Sequence, residues 1–76
     1  MRTVKIKLSM TENIKDFVRT TTSYPYDIDL RSGRYLIDGK SILGIFSLDF
    51  NETIYLDIHS DDCDDFIEEI KQFIVD

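Results

Sequence analysis

Tryptophan is absent from this 76-residue sequence, and cysteine, proline and histidine occur once each. The lone Cys63 has no internal partner, which excludes a disulfide framework and agrees with a reducing compartment. A single histidine, His59, with no cysteine at ligand spacing, excludes a zinc site of the usual kind. No apolar run approaches the ~18 to 20 residues that cross a bilayer, so no membrane partner is expected. Met1 to Leu8 alternate Lys or Arg with apolar residues and lack the continuous apolar stretch of a secretory signal, so a cytoplasmic protein is expected. Basic residues are also few, nine against fifteen acidic, for a formal charge of −6. Such a chain gains no counterion-release energy on a phosphate backbone, and nucleic acid is not an expected partner.

What is present suffices for one small core. The apolar fraction is 42%, including five Phe and four Tyr. A chain this short buries only about 60% of its unfolded surface, so every apolar face has to be used. Val4, Ile6 and Leu8 alternate with lysines, the period of a half-buried strand. Ser9, with Glu12 three residues on, fits a capping box, and Met10, Ile14, Phe17, Val18 and Thr21 follow at helical spacing. Pro25 and the run Thr20-Thr21-Thr22 stop that helix by about Ser23. Tyr26, Ile28 and Leu30 then alternate with polar residues, and Ser32-Gly33 offers the turn of a hairpin returning through Arg34 to Asp38.

Gly39 permits a reversal that places Ser41 at the N-cap of a short helix, Ile42 to Leu48. Ile54, Leu56 and Ile58 form the inner face of a fourth strand, whose odd positions point away from the core. Ser60 is the expected cap of a last helix running to about Val75, with Cys63, Phe66, Ile67, Ile70 and Ile74 on its inner stripe. No linker or repeat divides residues 1–76, so one domain is expected. The order βαββαβα, with one apolar face per strand, calls for an antiparallel sheet covered by helices on one side. The class is α+β, an open-faced sandwich of four strands and three helices.

Gly39-Lys40-Ser41-Ile42-Leu43-Gly44-Ile45-Phe46-Ser47-Leu48 carries the strongest motif. It resembles the second-helix signature of HPr, the histidine-containing phosphocarrier of the bacterial sugar phosphotransferase system. The resemblance implies strand order one, four, two, three and a relation to that system. It also locates the family's phosphoacceptor histidine at the start of helix one, where this chain has Met10, and the family's arginine where it has Glu12. A thioether has no basic nitrogen to phosphorylate, and a carboxylate repels phosphate. No histidine lies anywhere in the first 58 positions.

The expected function is therefore that of a non-catalytic regulatory or adaptor protein, not an enzyme and without cofactor or metal. A phosphocarrier using another acceptor such as His59 is the alternative. The resemblance makes Ser41 a candidate for regulatory phosphorylation and Ile42, Leu43 and Phe46 a candidate docking surface. The expected partner is a protein, either a phosphotransferase component or a transcriptional regulator. Asp61, Asp62, Asp64 and Asp65 lack the glycine and ligand spacing of a calcium loop and suit a helix N-terminus instead.

Overall fold

The computed structural model describes residues 1–9 and 11–75. The strands are β1 (Arg2–Ile6), β2 (Ile28–Ser32), β3 (Tyr35–Asp38) and β4 (Ile54–Ile58). The helices are α1 (Thr11–Thr22), α2 (Ile42–Phe46) and α3 (Asp64–Ile70), the last followed by a 3-10 turn over Lys71–Phe73. The sheet is antiparallel throughout, in the order β1-β4-β2-β3. This is the α+β open-faced sandwich expected from strand parity, with its three helices over one face.

Alternation builds the core. Ile6 and Leu8, Ile28 and Leu30, and Ile54, Leu56 and Ile58 are buried beneath Ile14 and Phe17 of α1, Ile45 of α2 and Phe66 and Ile70 of α3. Central β4 pairs with β1 and β2, so Leu56 lies between Val4 and Leu30. The three threonines at the end of α1 spend their hydroxyls on carbonyls. Thr20 Oγ1 reaches the Asp16 carbonyl at 3.1 Å, and Thr21 Oγ1, fully buried, reaches the Gly39 carbonyl at 2.9 Å. That last bond ties the end of α1 to the turn that launches α2.

Three expectations need correction. The reversal at Gly39 is present but is not left-handed, since Gly33 at φ +56 is the one glycine with positive φ. What Gly39 supplies is close approach, because a Cβ there would lie 2.9 Å from the Ile28 carbonyl oxygen. α2 ends at Phe46, short of Leu48, with Ser47 and Leu48 continuing in tighter bonds to the Gly44 and Ile45 carbonyls. Ser60 does not cap α3: its Oγ closes a local turn on the Asp62 amide at 3.2 Å, and buried Cys63 precedes the helix.

The last helix also stops at Ile70, well before Val75. Ile74 bridges Ile6, the Lys7 amide donates to the Phe73 carbonyl at 2.8 Å and the Val75 amide to the Lys5 carbonyl at 2.9 Å. Two β-branched residues placed beside the free edge of β1 gain sheet hydrogen bonds there that a longer helix would forgo.

Candidate docking and modification site

Ser41 stands where the chain turns from β3 into α2. Its amide donates to the Asp38 carbonyl at 3.0 Å, its carbonyl accepts from Ile45, and its Oγ accepts from the Gly44 amide at 3.2 Å. This is the N-cap that the motif predicted, with β-region dihedrals at Ser41. Asp38 Oδ1 accepts from the Lys40 amide at 2.9 Å and holds the turn from the other side. The Lys40 ammonium donates to the Tyr24 carbonyl at 2.7 Å, a positioning contact with the α1–β2 connection that the sequence did not signal.

The five residues of α2 divide sharply. Ile45 is fully buried and Leu48, just beyond the helix, nearly so. Ile42 is half-buried and packs against the core. Leu43 is 81% exposed and Phe46 42% exposed. The three candidate docking residues are thus not equivalent: Leu43 and Phe46 present apolar surface to solvent, and Ile42 packs inward against the core. Gly44 lets α2 lie close to β3, since a Cβ on it would meet the Ile37 Cγ2 methyl at 2.6 Å.

At the start of α1, Met10 lies outside the described residues, and Glu12 is an exposed acid in the first turn. His59 is elsewhere. The register pairs Arg2 with Ile58 and Ile6 with Ile54, so the end of β4 and the start of α1 lie at opposite ends of the sheet. The strand length alone separates them by about 13 Å.

The polar face of the sheet holds a cluster that sequence reasoning missed. Arg31 donates from Nε to Asp57 Oδ2 at 3.0 Å and from an Nη to Oδ1 at 3.2 Å, and Thr3 Oγ1 donates to Oδ1 at 2.7 Å. The Arg31 guanidinium also lies 4.9 Å from the Tyr55 ring centroid, in cation–π contact. Asp57 is only 7% exposed although it points away from the core. The Arg31 hydrogen bonds hold its carboxyl below the usual carboxylate range, aided by Thr3 and opposed by burial. His59 Nε2 sits 2.8 Å from Asp29 Oδ2 on the same face, beside a cleft that Asp27 and Asp38 also line. Once the strand order is known, odd positions on β1, β2 and β4 must converge on this face, and that is the signal that could have found the cluster.

No protein-family model and no curated protein matches the sequence. Among solved structures, HPr-C-His from Thermoanaerobacter tengcongensis is similar, with a TM-score of 0.77 at 22% identity over 95% of this chain and 89% of that one. With its four-stranded antiparallel sheet and three helices, the chain has the HPr-like fold.

Proposed function

We propose that this chain is a regulatory or adaptor protein related to the sugar phosphotransferase system, one that binds a protein partner through α2 and does not itself transfer phosphoryl groups. The observation that carries this reading is the exposure of Leu43 and Phe46 on a helix held rigidly from below by Ile45 and Leu48. An exposed aromatic beside an exposed leucine on one short helix is a plausible interface anchor. Ser41, at the mouth of the same helix, is the candidate for modification. Among the described residues its Oγ accepts one hydrogen bond and donates none, so its proton is available to an ATP-dependent kinase. A phosphate there would meet the amide end of α2 favourably and the nearby Asp38 unfavourably.

A second reading, a phosphocarrier using His59, has the Asp29 carboxylate in its favour, since such a partner orients an imidazole. The surroundings oppose it. Asp27, Asp29 and Asp38 flank His59 and repel an incoming phosphoryl dianion, and the site lies at the far end of the sheet from the start of α1.

Two assays test the proposal. Incubation with ATP and an HPr kinase should give a phosphoserine adduct that Ser41→Ala abolishes while the fold persists. Titration against the transcriptional regulator that recognises phosphoserine HPr should show binding that Phe46→Asp weakens by about 2 kcal/mol or more without lowering the melting temperature. If Phe46→Asp mainly lowers the melting temperature and leaves binding alone, α2 is not the docking surface.

A further inference from the structure

The two edges of the sheet are treated differently. The β1 edge is covered by Phe73 to Val75, whose backbone bonds to Lys5 and Lys7 and whose Ile74 bridges Ile6. The β3 edge has no covering strand among the described residues. Apart from its length of four residues, it lacks the features that keep free edges from pairing. Its central residues are Tyr35, Leu36 and Ile37, with no proline, bulge or central charge, and Tyr35 and Leu36 are each 67% exposed.

The backbone of that edge is ready to pair. The two-residue turn Gly33-Arg34, with positive φ at Gly33 alone, makes Ser32 and Tyr35 the first hydrogen-bonded pair of the hairpin. The Gly39 amide, four residues on from Tyr35, bonds back to the Ile28 carbonyl at 2.7 Å, which fixes the alternation. Odd residues of β3 therefore face β2, and the N–H and C=O of Leu36 point outward.

From the charges at its two ends we propose that β3 pairs with β3 of a second copy of this chain, antiparallel about a two-fold axis at Leu36, joining two sheets into one of eight strands. In that register Leu36 meets Leu36 of the second copy as a hydrogen-bonded pair. Tyr35 meets Ile37 twice on the helix side, an aromatic pair with a β-branched residue. Arg34 meets Asp38 twice, so both ends of the strand carry opposite charges. Arg34 is exposed and forms no ion pair within the chain among the described residues. A register shifted to centre on Tyr35 would put Arg34 opposite Leu36 and lose the charge match. The pairing is smaller than the roughly 1,200 Å² of a standard interface, so association is expected between roughly 10 μM and 1 mM.

Charge exchange tests this directly. Sedimentation equilibrium of the full chain across that concentration range should show a monomer–dimer equilibrium. Arg34→Glu places acids opposite acids, and Asp38→Lys places bases opposite bases, so each variant alone should dimerise about tenfold more weakly or worse. Mixed together, they restore both opposite-charge pairs and should form a heterodimer. Asp38 also braces the turn before Ser41, so circular dichroism checks each variant's fold. If Asp38→Lys unfolds, Leu36→Lys sets like charges across the axis and should likewise abolish the dimer. A wild-type chain that stays monomeric to 1 mM, or folded Arg34→Glu or Leu36→Lys variants that dimerise as tightly as wild type, overturns the proposal. So does dimerisation with amide shifts away from β3. Neither Leu43 nor Phe46 lies on this edge, so failure here leaves the docking reading of α2 standing.

Discussion

Asp57 is a nearly buried carboxylate on the polar side of the sheet, stabilised as the anion by Arg31 and Thr3. Because its folded pKa is depressed, its contribution is fully present above its unfolded pKa of about 4 and is lost as the pH falls through the folded value. Arg31 is half-exposed, so water screens the pair and offsets part of its loss. Asp57→Asn is therefore expected to lower stability by about 1 to 2 kcal/mol at pH 7, with the difference from wild type shrinking below about pH 4. Urea melts of both proteins across that pH range check the sign. A deficit that stays constant with pH would mean the carboxylate charge contributes nothing. At Ser41 the question is energetic as well as regulatory. Loss of one N-cap hydrogen bond in Ser41→Ala should cost about 0.5 to 2 kcal/mol, measurable by the same melts.

At the scale of elements, α2 and the turn before it make opposite demands on neighbouring residues. Ile45→Ala should cost about 2 to 5 kcal/mol because it opens a cavity beneath the helix, whereas Leu43→Ala, on the exposed side, should shift stability by less than about 0.5 kcal/mol. Gly39→Ala should destabilise by about 1 to 3 kcal/mol, since its Cβ meets the Ile28 backbone, which cannot move without breaking a pair in the sheet. Thermal denaturation of the three variants separates these cases.

The same elements show what could be read before the structure. The inner residues of β1, β2 and β4 follow from alternation alone, and the Ser41 cap follows from its place before an apolar run. The burial of Ile45 and Leu48 and exposure of Leu43 and Phe46 follow less directly, because five helical residues make little more than one turn. Helix ends were the weakest point. Ser60 and Ser41 look alike in sequence, but Ser60 closes a separate turn, and the fate of Ile74 depends on the edge of β1, a neighbour 68 positions away in the chain. The contacts of Asp57, Arg31 and Thr3 join three strands, and they depend on the register between those strands, which periodicity leaves open even where the order is expected.

At the scale of the whole molecule, three surfaces have separate proposed roles. The helix side presents Leu43 and Phe46 at α2, the far edge presents β3, and the polar sheet face is closed by its own ion pairs. An adaptor needs the first and can use the second, while phosphoryl transfer needs an acceptor that the start of α1 does not supply, since no histidine precedes position 59. His59 is the alternative acceptor, and the proposed reading rests on the acids that line the cleft beside it. The most direct measurement is the intact mass of the protein after incubation with phosphoenolpyruvate and the general phosphotransferase enzyme, under conditions that preserve phosphohistidine. A regulator without phosphoryl transfer should be recovered with its mass unchanged, whereas a stoichiometric acid-labile phosphoryl group on His59 would contradict the proposed function.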